Sequence, residues 1–245
     1  MSDAERYARH IALPEVGTAG QARLANTTML IVGLGGLGCP VAQYLASSGV
    51  GCLLLNDYDR VDRSNLPRQV LFGEDDIGEL KVEAAARRLA RLNPSASIET
   101  LPARLDADAL SAAAARADIV LDCVDNFTTR LAINQAAVAN HMPLISGAAL
   151  RFEGQIVVFE NGPDEPCYRC LYSEEDELLG SCEGNGVLAP VPGVIGTLMA
   201  VEALQLAIAG HSMQNGVLRI WDALSGGWQS ITLARDPRCP VCAAA

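Results

Sequence analysis

Short apolar runs alternate with amphipathic stretches through the first 150 residues, a pattern that predicts strands and helices in succession. Met29–Val32, Cys52–Leu55, Ile98–Leu101, Ile119–Cys123 and Leu144–Gly147 read as strands, being too short for helices. Helical spacing returns between them. From Glu79, the residues Leu80, Ala84, Leu89 and Leu92 share one side until the stop at Asn93-Pro94. Asp108–Arg116 reads as an alanine-rich helix and Thr128–Asn140 as a longer one. Residues 3–24 precede the first strand as a helical arm broken at Pro14. Beyond Gly147 the order changes. Gln155–Glu160 reads as a strand, Val217–Trp221 and Trp228–Leu233 as a hairpin around Gly226-Gly227, and the apolar Val187–Gly210 stretch as a long helix between them. Pro190, Pro192, Glu202 and Gln205 interrupt that stretch, so it reads as a core helix and a candidate subunit interface rather than a membrane span.

The first strand ends in Gly33-Leu-Gly35-Gly36-Leu-Gly38, the G-x-G-x-x-G spacing of a strand that turns directly into a helix. Without a Cβ at Gly35 or Gly36 a phosphate can approach the backbone, and the helix start offers it unpaired N–H groups and a positive dipole end. The second strand ends at Asp57, where a dinucleotide fold places the carboxylate that holds a ribose. The fourth ends in Val124-Asp125-Asn126, on the same sheet edge. The expected class is therefore α/β, with a Rossmann-like, mostly parallel sheet continued by antiparallel strands in one domain. Residues 1–28 form the arm, 29–147 the nucleotide-binding half, and 148–245 the remainder. Asp125 suits magnesium, which takes one or two carboxylates alongside phosphate oxygens, or else it caps the helix that follows. Lys81 stands in the first turn of its helix, where a cation opposes the dipole unless an anion lies nearby. Tyr58–Gly78 is a long aperiodic segment, and loops of that length inside compact domains usually carry function.

With 50% hydrophobic and 19% charged residues, the chain of 245 residues is composed as a globular protein. A formal charge of −11 argues against nucleic acid or an anionic membrane as a partner, since both reward net positive charge. An anionic ligand must then be held by a few placed cations. Residues 1–10 mix two arginines with two acids and do not resemble a targeting segment, so a cytoplasmic protein is expected.

Eight cysteines include two C-x-x-C pairs, Cys167/Cys170 and Cys239/Cys242. In such a chain two pairs favour one closed tetrahedral zinc site over redox dithiols. Cys39, Cys52 and Cys123 lie on apolar elements and read as small buried hydrophobes. Cys182 is different: it sits in a glycine-rich loop after the acidic run Glu174–Glu177 and is a candidate for sulfur chemistry.

Taken together, the Gly-Leu-Gly-Gly-Leu-Gly turn, Asp57, Ser64-Asn65-Leu66-Pro67-Arg68-Gln69, Gly78 with Lys81, Asp125-Asn126 and both cysteine pairs resemble the MoeB/ThiF family, bacterial relatives of ubiquitin-activating enzymes. The resemblance runs from Arg6-Tyr7-Ala8-Arg9 to Cys242. It implies an adenylyltransferase that joins AMP from ATP to the C-terminal glycine carboxylate of a ubiquitin-like sulfur carrier ending in Gly-Gly, releasing pyrophosphate. Such reactions serve sulfur transfer in molybdopterin, thiamine or thio-tRNA biosynthesis. By the same resemblance, Asp57 holds the ribose and Gly36 the nucleotide at the turn. Asn65 and Arg68 of the Ser64–Gln69 run take the phosphates together with Lys81, Asp125 binds Mg2+, and Asn126 lies beside the nucleotide. Arg9 reaches the partner's site in a homodimer, and Cys182 aligns with a loop cysteine that bonds to the carrier in thiamine-type relatives. Residues 148–245 then become the carrier-binding and zinc half, and the sulfur donor is a separate sulfurtransferase or cysteine desulfurase. Two other readings compete: a nicotinamide-dependent oxidoreductase, which rests on the glycine turn alone, and an ATP-dependent tRNA-modifying dehydratase of the same fold. A catalytically inactive scaffold is a further reading, one that the retained Arg68 and Lys81 disfavour.

Overall fold

The computed structural model describes residues 3–172 and 186–243. Two short turns, α1 (Asp3–Arg6) and α2 (Ala8–Ile11), lead into α3 (Gly17–Ala25). The alternation that follows is β1 (Thr28–Val32), α4 (Gly38–Ser48), β2 (Cys52–Asn56), α5 (Lys81–Leu92), β3 (Ser97–Leu101), α6 (Ala107–Ala114), β4 (Ile119–Asp122), α7 (Phe127–Ala139) and β5 (Leu144–Leu150). The second half adds β6 (Glu153–Phe159), α8 (Tyr168–Leu171), α9 (Pro190–Ala209), β7 (Val217–Asp222) and β8 (Trp228–Thr232). The eight strands among the described residues join one sheet in the order β3-β2-β1-β4-β5-β6-β7-β8. The pairs from β3 to β5 are parallel and those from β5 to β8 antiparallel, as the change of pattern after Gly147 requires.

Register explains why the functional edge is flat. Val32 pairs with both Asn56 and Asp122, and Asn56 with Leu101, so β1 to β4 finish level with one another. Gly33, Asp57 and Cys123 then leave the sheet side by side. Chain order reverses between β1 and β4, and in an open α/β sheet the crevice opens where that happens.

One core lies on each sheet face. Leu34, Leu45, Leu53, Leu55, Leu89 and Met199 belong to the first, and Leu30, Leu54, Leu110, Ile133 and Phe159 to the second. The helix read from the Val187–Gly210 stretch is α9, and it packs on α4, β5 and β6. Its one acid, Glu202, is buried and receives a 2.6 Å bond from Arg219 and a 3.1 Å bond from Ser212, which removes the cost of an unpaired charge. Length and composition alone would suit a membrane span, but the packing and this ion pair make α9 a core helix with a half-exposed face that includes Val201.

The structure departs from the sequence reading at several points. Helix α5 starts at Lys81 rather than Glu79, because Glu79 and Leu80 are held by the Arg60–Leu80 bridge and the Val61 N–H. Two single turns, Arg63–Asn65 and Glu74–Asp76, punctuate the long aperiodic segment. Strand β5 runs on to Leu150 because β6 folds back on it residue by residue through Arg151, whose φ is +54°.

Glycine is required at two points of the first turn. Gly33 has φ +93°, and a Cβ there would stand 2.8 Å from the Cys123 carbonyl oxygen. A Cβ on Gly38 would collide with the Gly33 carbonyl oxygen itself. Gly38→Ala is therefore expected to cost about 3 kcal/mol in denaturant unfolding, as overpacking against rigid backbone does. Gly35→Ala should barely alter stability, since its Cβ would meet only Gln69 Nε2 at 3.8 Å.

Candidate functional site

A cleft of about 880 Å3 opens at the carboxyl edge of the sheet. Its walls include Gly33, Gly35, Gly36, Asp57, Asn65, Arg68, Gln69, Lys81, Asp125 and Asn126, so residues far apart in sequence face one space. Gly38 and Ser64 stand outside that lining. Gly38 is buried and shapes the turn, while Ser64 donates to the Asp62 carboxylate at 2.6 Å.

Asp57 is buried and accepts from the Leu34 N–H at 2.7 Å and the Asp59 N–H at 2.8 Å, which ties the glycine turn to the end of β2. Burial pushes its carboxyl pKa up; Lys81 and the two N–H groups oppose that rise. Lys81 is buried at the start of α5 with Nζ 2.9 Å from Asp59 and 3.9 Å from Asp57. These acids are the anions that its unfavourable helix position calls for. Asp59 is largely exposed, so a triphosphate entering the cleft could take its place at little cost.

Arg68, also in the lining, sits half-buried, donating to Asn65 Oδ1 at 2.8 Å and to the Ser64 carbonyl at 3.2 Å. Those bonds aim one cation and one amide together. Beside them Gln69 is buried, with its side-chain oxygen unpartnered. At the far end of the cleft the capping alternative for Asp125 resolves in favour of its neighbour: Asn126 accepts from the Thr129 N–H at 2.9 Å and caps α7, leaving the exposed Asp125 on the cleft wall. The arrangement can receive a polyanion, with Arg68, Lys81 and Arg104 among its walls and a carboxylate able to share a metal with it.

One buried group beneath this turn escaped the sequence reading. Arg130 forks to the Val124 carbonyl at 2.6 Å, the Gly147 carbonyl at 2.9 Å and Ser146 Oγ at 2.9 Å, with Asp122 Oδ2 at 3.2 Å. Ser146 completes the set by donating to Asp122 at 2.6 Å. Burial raises the Asp122 carboxyl pKa, opposed by Arg130 and by the Ser146 bond. Arg9 is exposed and does not line its own chain's cleft.

Away from the cleft, the sulfurs of Cys167, Cys170, Cys239 and Cys242 lie within 4.8 Å of one another. Cys167 and Cys239 are 3.7 Å apart, and Cys170 and Cys242 3.5 Å. Tetrahedral zinc with Zn–S bonds of ~2.3 Å holds its sulfurs ~3.8 Å apart, so the cluster fits the ion, whereas a disulfide needs ~2.05 Å. Two further bonds orient the sulfurs, from Asn134 to Cys167 at 3.6 Å and from the Asp236 N–H to Cys170 at 3.4 Å. Cys39 and Cys123 are buried as expected, whereas Cys52 is only half-buried; burial pushes the Cys39 thiol up to about 12, which keeps it unreactive. Cys182 falls within 173–185, outside the described residues.

Residues 7–241 match the model of the ThiF family. The chain belongs to the ThiF family. Among ThiF-like relatives, the sulfur carrier protein ThiS adenylyltransferase of Escherichia coli is 46% identical, over 98% of this chain and 95% of its own length. The molybdopterin-synthase adenylyltransferase of Salmonella typhimurium is 44% identical over 99% of this chain and 98% of its own. Of solved structures, E. coli MccB with ATP superposes at a TM-score of 0.85 with 27% identity, over 97% of this chain and 73% of that one.

Proposed function

We infer that this protein is an ATP-dependent adenylyltransferase, transferring AMP to the C-terminal carboxylate of a ubiquitin-like sulfur carrier. Whole-length similarity to enzymes named for that reaction supports the reading. The single observation that carries it is that Arg68 and Lys81 line one cleft together with the glycine turn. An oxidoreductase has no use for that pair, and neither it nor a tRNA-modifying dehydratase is favoured by relatives with these names.

The chemistry asks for what the cleft offers. A carrier carboxylate oxygen bonds to the α-phosphorus as the bond to pyrophosphate breaks, bringing anions together and releasing one. Arg68, Asn65 and Lys81 are assigned to the phosphates, where fixed donors stabilise the charge that develops. Asp57 is assigned to the ribose, Gly35 and Gly36 to the nucleotide backbone, and Asn126 to the adjoining wall. Asp125 is assigned to Mg2+, which would draw charge from the phosphate oxygens. A carboxylate is already ionised at neutral pH, so no general base is required. Carrier-dependent exchange of pyrophosphate into ATP tests the reading. Exchange is expected with a carrier ending in Gly-Gly and not with one lacking those residues; equal exchange with no carrier would overturn it.

The protein is further proposed to be a cytoplasmic homodimer that works with a separate sulfurtransferase or cysteine desulfurase as sulfur donor, with Cys182 taking part in the sulfur chemistry. Support for a shared site comes from Arg9, which is exposed and outside the lining of its own cleft. Equal mixing of Arg9→Ala and Asp125→Ala subunits should restore about one quarter of wild-type exchange, because half the dimers would hold one complete site. No recovery in verified mixed dimers would assign each site to one chain.

A further inference from the structure

The Asp125-Asn126 turn is gripped on both sides by groups that meet on one short helix. On its N-terminal side, the Val124 carbonyl accepts the 2.6 Å bond from Arg130. On its C-terminal side, the Phe127 ring lies 6.3 Å from Tyr168 and 5.9 Å, edge on, from Tyr172. The Arg130 guanidinium itself stands over the Tyr168 ring at 5.7 Å. Both grips therefore converge on Tyr168, which is buried and also contacts Phe159 and Tyr172.

Tyr168 is the first residue of α8, a helix of one turn. So short a helix has little stability of its own. What fixes it is the cysteine node: Cys167 precedes it, Cys170 lies within it, and both sulfurs face those of Cys239 and Cys242. Asn134 of α7 joins the two, donating to Cys167 Sγ at 3.6 Å while its oxygen accepts from the Tyr168 N–H at 2.9 Å. A continuous set of packed and bonded groups thus runs from the four sulfurs through Tyr168 to the residues flanking Asp125.

We propose that Arg130 and Tyr168 are positioning residues that hold the Asp125-Asn126 turn in the form that takes metal and nucleotide, and that the four-cysteine node, by fixing α8, sets how firmly they hold it. The claim about metal and nucleotide rests on the functional reading above; the coupling between node and turn does not. Zinc in this protein then does more than tie the C-terminal segment down. Partners that orient a metal ligand typically change metal affinity by about 10–100-fold when removed, which sets the scale expected here.

Hydrogen exchange over residues 123–130 reads the turn without nucleotide, and calorimetry of Mg·ATP reads its consequence. In zinc-loaded Tyr168→Leu, exchange in that segment should rise about tenfold and Mg·ATP affinity fall by a similar factor, with zinc content unchanged. Arg130→Lys keeps a charge beside Asp122 but loses the fork, and should act alike. Should Tyr168→Leu fail to fold, Phe127→Leu breaks the same contact from the cleft side. Chelation of wild-type protein, below its melting temperature, should speed exchange in 123–130 while leaving 28–56 protected, and should add little in Tyr168→Leu because both changes cut one connection. Unaltered exchange in 123–130 in the folded variants, or additive effects of variant and chelation, would overturn the coupling. If the turn loosens as expected but wild-type protein binds no Mg·ATP, the coupling stands and the functional reading falls.

Discussion

Arg68→Ala should lower carrier-dependent pyrophosphate exchange by about 10²–10³-fold, the usual loss when one preorganised donor to a developing anion is removed. Asp125→Ala should do the same if the turn holds the metal. The two losses should differ in kind. Arg68 shares its guanidinium with Asn65 Oδ1 and the Ser64 carbonyl, so truncation removes a cation and also unmoors its amide neighbour. Both effects weaken the ground-state complex as well as the transition state, and KM for ATP should rise while kcat falls. Asp125 is exposed and caps no helix, so its removal leaves the wall intact. The Asp125→Ala variant should melt with wild type and show its defect chiefly as a raised magnesium requirement. Exchange kinetics across ATP and magnesium concentrations separate the two. Full activity in either variant would remove the proposed chemistry from this cleft.

Such variants are easy to choose because this part of the protein is written locally. A strand, a glycine turn and a helix within thirty residues specify one another, and the C-x-x-C spacing sets two thiols on one turn without help from the rest of the fold. Level strand ends follow from the short parallel strands that bracket them. The Asp122–Ser146–Arg130 set was not legible, because its members come together only through the register of β4 on β5, which pairs Asp122 with Ser146. An arginine inside an amphipathic run reads as a solvated side chain until the sheet buries it. Likewise, Ala148-Ala149-Leu150 has weak strand propensity and extends β5 only because β6 lies beside it. Asp125 and Asn126 are both good caps, and only the direction in which the chain leaves β4 decides that Asn126 takes the Thr129 N–H.

Cys239→Ser is expected to be the most damaging single change outside the cleft. Segment 233–243 carries no helix or strand, and what fastens it is the cysteine node, where Cys239 and Cys242 pack with Val138 and Val241. In small zinc peptides the ion contributes about 10–16 kcal/mol to folding. Here two independent cores remain, so an ion held at the node would secure α8 and the C-terminal segment rather than the whole chain. Loss of one thiolate should lower bound zinc from about one per chain to near zero and depress Tm by on the order of 10 °C. It should also open the chain beyond residue 233 to proteolysis before the core melts. A strong chelator should reproduce all three effects in wild type, and added zinc should reverse them. A redox dithiol would behave oppositely: chelator would do nothing, and a mild oxidant would close disulfides and protect the segment. Zinc analysis alongside melting curves and limited proteolysis decides between the two, and a chelator-insensitive Tm would remove zinc from the account of how α8 is held.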